Sequence, residues 1–325
     1  MKEKGGTEPG PSTSIPRPSQ LEARLGDVAL RHRGAFEQQQ SAPVGTIFHY
    51  TTAAGLKGII ESRRLWASHV ESFNDSTEVL HAFGLVRKCL EEEAARNPTR
   101  ATQEFVGRLR ETVVPFGQYL EAYAACFYAD GDLLSGWRAL GSSVGGYAIG
   151  IDTSFLERRA RISPGYFLVQ VLYDHIVQDG LVRRLIADVL DVIREVESAS
   201  GLQSAEVCFP ECSMVLRDEL TPLLASFKSR AFEEEQEWRL LHVWALGERG
   251  YQVQFRPGPK GLVPYVELKV TDPAGIFDDR VPVSRFVYGP SSNPRLTEKG
   301  LALFRFEHGY DGRAELIRTK IPYGA

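Results

Sequence analysis

Cysteine is scarce: Cys89, Cys126, Cys208 and Cys212 are the four in 325 residues, far too few for a disulfide-built scaffold. Cys208 and Cys212 stand as C-x3-C, but no second Cys/His pair has zinc-site spacing, and the seven histidines are scattered singly. No metal site is expected, and the thiols read as small buried apolar side chains. An excess of charge is missing too. With 38 Lys+Arg against 42 Asp+Glu the formal charge is −4, which argues against bulk binding to nucleic acid or to a membrane surface. No run approaches the roughly 18 apolar residues of a membrane span. The opening MKEKGGTEPGPSTSIPRPSQ lacks the apolar stretch of a secretory signal, so a cytoplasmic protein is expected.

Motifs for the commonest chemistries are also lacking. There is no G-x-x-x-x-G-K-[ST] loop, no G-x-G-x-x-G after a strand and no G-x-S-x-G elbow. GGYAIG (145–150) is glycine-rich but runs into a strand, where it cannot cradle a phosphate at a helix N-terminus.

What is present divides into a tail and a folded body. Four of the 18 prolines fall within the first twenty residues, among Gly, Ser and Thr, a composition that buries too little to offset its ordering entropy. Residues 1–45 are expected to be a disordered tail with room for one short helix near 21–40, and 46–325 a single domain. TIFHY (46–50) reads as a strand and TTAAGLKGIIESRR as a helix with a Thr cap and Leu56, Ile59 and Ile60 on one face. Residues 181–197 form the clearest amphipathic helix. EWRLLHVWAL (237–246) reads as a central strand. Helices interleave with short strands that dominate the C-terminal half, which predicts an α+β fold of mixed, mostly antiparallel sheets flanked by helices.

Four polar clusters interrupt the apolar pattern. In FHYTT, His49 and Thr51 share one strand face and Tyr50 points oppositely; a sugar or phosphate edge and a capped surface histidine both fit. In FNDSTE (73–78), Asn74 and Asp75 are turn formers ahead of a helix near Glu78, and the same loop holds two carboxylates behind Phe73. Trp137 lies in a short helix between two strands, as a core anchor or a stacking platform. In SFKSRAFEEEQEWRLLH, Lys228 precedes a Glu run, and Glu237 opens the strand with Arg239 on its face. Such a pair keeps the glutamate ionised whether its role is structural or catalytic. Glu233–Glu235 read as a solvated helix end.

Taken in order, the stretches FHYTTAAGLKGIIESRRLWAS, FNDSTEV, ACFYADGDLLSGWRALG, GGYAIGI, FKSRAFEEEQEWRL and TKIPY resemble the bacterial family DUF2971, whose name records that it has no assigned function. The family's CFS and Trp-x-x-Tyr elements read here as Cys126-Phe127-Tyr128 and Trp137-x-x-Leu140. That family is in turn distantly similar to the ADP-ribosyltransferase superfamily, with a first-strand histidine and a later-strand glutamate. The resemblance implies an ADP-ribosyltransferase-like core with NAD as substrate, His49 on the adenosine-side ribose, Tyr50 or Trp66 and Phe73 flanking the nicotinamide, and Glu237 catalytic. Thr51, Asn74, Trp137 and Arg239 would complete the NAD contacts, with Asp75, Glu78 and Lys228 toward an acceptor, either protein or nucleic acid.

The chemistry is coherent, because a carboxylate stabilises the oxocarbenium-like state formed when the nicotinamide–ribose bond breaks. An ADP-ribosyltransferase or NAD hydrolase is therefore the leading expectation, as a toxin-like or phage-defence effector with a partner protein of a defence or toxin–antitoxin system. Two alternatives stand beside it: a non-enzymatic ligand-binding or sensor module, and a metal-dependent nuclease using Asp75, Glu78 and Glu237.

Overall fold

The computed structural model describes residues 18–41, 45–73, 77–116, 121–140, 146–243, 253–258, 261–271 and 279–322. Its elements, in chain order, begin with α1 (Pro18–Glu37), β1 (Thr46–Thr51), α2 (Ala53–Ser62), β2 (Arg64–His69), α3 (Thr77–Arg96), α4 (Arg100–Phe116) and β3 (Ala122–Phe127). There follow α5 (Leu134–Ala139), β4 (Tyr147–Asp152), α6 (Thr153–Ile162), β5 (Tyr166–Gln170), α7 (His175–Ser200), α8 (Leu202–Val207) and α9 (Phe209–Leu224). The last are β6 (Trp238–Val243), β7 (Gln254–Gly258), β8 (Gly261–Lys269), β9 (Val283–Tyr288), α10 (Pro294–Glu307) and β10 (Glu315–Arg318). The fold is α+β, as composition and patterning predict.

The chain forms two compact units. One, from residues 1–37, 84–118 and 179–220, is helical among its described residues. It includes α1, where the sequence leaves room only for a short helix in a tail. The helix runs for 20 residues and buries Leu21, Leu25 and Val28, the i, i+4, i+7 stripe that drives an amphipathic helix to pack.

The other unit, from residues 38–83, 119–178 and 221–325, carries both sheets. A mixed four-stranded sheet has the order β1-β4-β9-β10, antiparallel except for the β9–β10 pair. An antiparallel six-stranded sheet has the order β5-β6-β3-β2-β8-β7. They meet where Phe48 and Tyr128 exchange backbone hydrogen bonds, each N···O 2.8 Å. The main core draws Ile47, Ile149 and Ile151 from the first sheet and Leu65, Phe127, Leu240 and Leu268 from the second. Each such side chain contributes roughly 1.5–3 kcal/mol by leaving water.

Local chemistry sets the helix ends. The Thr52 side chain accepts from Gly55 N (3.1 Å) and starts α2, whose Leu56, Ile59 and Ile60 face the core. Asp152 accepts from Ser154 N (2.8 Å) and starts α6, a helix that the sequence reading leaves out. Asn293 caps α10, with Pro294 in its first turn.

Candidate functional site

The cluster around Glu237 grows from strand register. On β6, Trp238 and Leu240 turn into the core, so alternation sends Arg239 to the opposite face. Cys126 lies directly across from Arg239 on β3. Glu237 is fixed just ahead of the strand: its N–H donates to the Tyr173 hydroxyl (2.9 Å), and its carbonyl accepts from Val171 N (2.9 Å).

Its carboxylate is only 2% exposed. Oε1 accepts from Arg239 Nε at 2.8 Å, and Oε2 accepts from Lys228 Nζ at 2.6 Å. The Cys126 thiol lies close to the same carboxylate, whose charge adds to burial in pushing the thiol pKa up. Burial by itself would push the Glu237 pKa up. Arg239 and Lys228 more than offset that and pull it down to about 2, so the group is ionised at neutral pH. The Arg239 guanidinium also donates to Ala225 O (2.7 Å) and lies 5.2 Å from the Phe73 ring centre.

Lys228 is shared. Its Nζ donates to Glu235 Oε2 at 2.6 Å as well as to Glu237. Glu235 is buried, which corrects its reading as part of a solvated helix end. Residues Arg230–Glu235 form a 3-10 turn capped by Ser229, and Gln236 then takes φ 40°. That left-handed residue turns the chain so that both glutamates reach one lysine. Burial pushes the Glu235 pKa up, partly countered by Lys228. Two acids and two cations make the tetrad neutral, the condition under which buried charges are tolerated.

His49 reaches the same residue from the other sheet. Its Nδ1 lies 2.9 Å from Cys126 O. A carbonyl only accepts, so Nδ1 carries the proton and Nε2 is left as an acceptor. Burial lowers the His49 pKa and keeps the ring neutral. Cys126 thus meets His49 through its carbonyl and Glu237 through its thiol.

Beside it stands an aromatic group. The Tyr50 hydroxyl donates to Asp130 O (2.9 Å) and accepts from Leu133 N (2.7 Å), and its ring meets Tyr128 and Trp137 edge-on at 5.0 and 4.7 Å. Burial raises the Tyr128 phenol pKa, and the charges of Glu235 and Glu237 raise it further. Trp137 is buried and donates from Nε1 to Asp132 (3.0 Å). A Cβ at Gly289 would fall 2.8 Å from its ring, so close packing fixes Trp137 as a core anchor.

Of the remaining expected residues, Thr51 is buried with its side chain against Gly55. Trp66 is half exposed on the face of β2 and stacks on Tyr265, ring centres 4.5 Å apart. Asn74 and Asp75, and the side chain of Glu78, lie outside the described residues. The structure therefore gathers His49, Tyr50, Phe73, Lys228, Glu237 and Arg239, and it adds Cys126, Tyr128, Tyr173 and Glu235. Glu235 and Glu237 stand two apart in Glu235-Gln236-Glu237, a spacing that could have flagged Glu235 but for the acidic run before it. Nothing in the sequence pairs Cys126 with Arg239, because register between distant strands is not local.

Among the described residues no three His, Cys, Asp or Glu side chains group to hold a metal ion, and no helix is long and apolar enough to cross a membrane. No protein-family model, no curated protein and no solved structure matches the chain.

Proposed function

We propose that the protein consumes NAD, as an ADP-ribosyltransferase or an NAD hydrolase with an ADP-ribosyltransferase-like core. The observation that carries the proposal is the meeting of His49 and Glu237 at Cys126 across two sheets. Neutral His49 offers Nε2 to a ribose hydroxyl of the adenosine side. Ionised Glu237 supplies the negative charge that favours an oxocarbenium-like ribose as nicotinamide departs.

Glu237 is fully engaged before substrate arrives, which shapes the mechanism. A ribose hydroxyl gains Oε2 when Lys228 withdraws onto Glu235, which already holds the same ammonium. Arg239 stays on Oε1 and keeps the carboxylate ionised. The Tyr128 ring lies beside the acids, backed by Tyr50, where it excludes water from the breaking bond.

The test is incubation of purified protein with labelled NAD, alone and with a cell lysate. Nicotinamide release or label transfer is expected, with loss in Glu237→Gln. Absence of both products, or full activity in that variant, overturns the proposal. A second reading, a non-enzymatic ligand-binding or sensor module, is favoured by the saturation of Glu237 by Lys228 and Arg239. Under that reading His49→Ala and Glu237→Ala alter stability and nothing else. An effector role in defence against phage, as a toxin-like protein in the cytoplasm with a protein partner, belongs to the first reading and follows only if NAD is consumed.

A further inference from the structure

We propose that the face of β2, β8 and β7 turned away from the core binds single-stranded nucleic acid by stacking a base on Trp66. Strand alternation carries Leu65, Ala67, Val266 and Leu268 into the core, leaving Arg64, Trp66, Ser68, Tyr265, Glu267 and Lys269 on the other side. Trp66 is 50% exposed there, and its ring lies within 31° of parallel to that of Tyr265. Tyr265 is held in turn by its hydroxyl on Gln254 Oε1 of β7 (2.8 Å). The result is a rigid, flat, half-open aromatic surface on a sheet, the form in which proteins present a stacking partner to any base.

Charge around it has the sign a phosphate chain needs. Arg256 is anchored by its Nη2 on Ser68 Oγ (2.9 Å), while its Nε is a buried donor without a hydrogen-bond partner among the described residues. Arg63, Arg64 and Lys269 stand at the other end, next to Glu267 and Asp279. Four cations against two acids leave a local excess of two positive charges on a chain of formal charge −4. A paired duplex keeps its base faces stacked and hidden from Trp66. That the bound strand is also the ADP-ribose acceptor rests on the NAD-consuming reading; that the face binds it does not.

The test is fluorescence anisotropy of the full chain with a labelled oligothymidylate, the matching duplex and a labelled poly-glutamate peptide, without NAD. The single strand should bind tightest, weaken as salt rises, and lose about tenfold in affinity in Trp66→Ala. Arg64→Glu with Lys269→Glu leaves the aromatic pair intact and should abolish binding. Quenching of tryptophan emission by the unlabelled oligothymidylate in the wild type, lost in Trp66→Phe, reads the stack apart from the other three tryptophans. Absence of binding at low salt, absence of quenching, equal affinity for the duplex, or preference for the peptide overturns the proposal. Since none of these readings uses NAD, failure here leaves the transfer or hydrolysis assay standing, and the reverse.

Discussion

Two ion networks, one in each unit, differ in how far water reaches them. In the helical unit Arg183 meets Asp179 (3.0 Å), Glu92 (2.8 Å) and Glu93 (3.0 Å), with Lys88 3.9 Å from Asp179. Arg96, 2.9 Å from Glu93, is a third cation, so three cations face three acids; the Arg183 side chain is 20% exposed, and those of Arg96 and Lys88 are well exposed. In the sheet-bearing unit Lys228 and Arg239 face Glu235 and Glu237, all four buried or nearly so. Both networks balance their charges; water reaches and screens most of the first, whereas the interior admits the second only because its charges cancel and its donors are satisfied. A balanced buried tetrad has no slack: any ligand that enters must replace a partner.

That contrast is broken hardest at Glu237. Glu237→Ala leaves Arg239 and Lys228 buried with one acid between them and is expected to destabilise by about 3–5 kcal/mol. The measurement is hydrogen exchange of the β6 amides, which should lose protection while α7 keeps it. Full protection of β6 in the variant would mean that the tetrad carries no local stability.

Acid probes the same group without mutation. Glu237 has a folded pKa of about 2 against an ordinary 4.5, so it contributes stability above the unfolded value and loses it as pH falls from about 4.5 toward 2. Glu235 is shifted upward and acts in the opposite sense, favouring the folded state at low pH and losing that contribution as pH rises through its folded pKa. Glu235→Gln removes the opposing contribution, so protection of the β6 amides should fall more steeply with acid in the variant than in the wild type. Identical profiles would show that the two glutamates do not titrate as a coupled pair.

How much of this was legible follows from what is local. The alternation of His49 and Thr51 against Tyr50, the Thr cap of α2 and the α7 stripe are short-range patterns, and the structure carries them. Glu237 beside Arg239 on one strand face is a two-residue spacing, and it too is present. Glu235 was hidden because an acidic run looks solvated, and only a left-handed Gln236 turns its last member inward. Cys126 was hidden because its partners come from 77 residues before it and from the next strand of the sheet. The helix α1 was obscured by its neighbours: a proline- and glycine-rich start drew attention from the Leu21, Leu25, Val28 stripe.

In the helical unit the expected effect is smaller. Arg183→Ala removes three partly solvated pairs, and about 1 kcal/mol is expected from their sum. Exchange of the α7 amides should speed by roughly fivefold at low ionic strength, and the difference should shrink in high salt. A loss that salt leaves unchanged would place this network with the buried one.

The smallest effect is expected where water has fullest access. Lys57 and Glu61 lie one turn apart on α2 with Nζ···Oε2 at 2.5 Å, both side chains well exposed. Geometrically this pair is as short as those of the tetrad, so distance alone predicts equal strength. Solvent screening and the entropy of two long side chains predict about 0.3–0.5 kcal/mol instead. Lys57→Ala should therefore leave α2 exchange within twofold of wild type, its better helix propensity offsetting part of the lost pair. A loss approaching that of Glu237→Ala would make ion-pair length, rather than burial and charge balance, the quantity that ranks these sites.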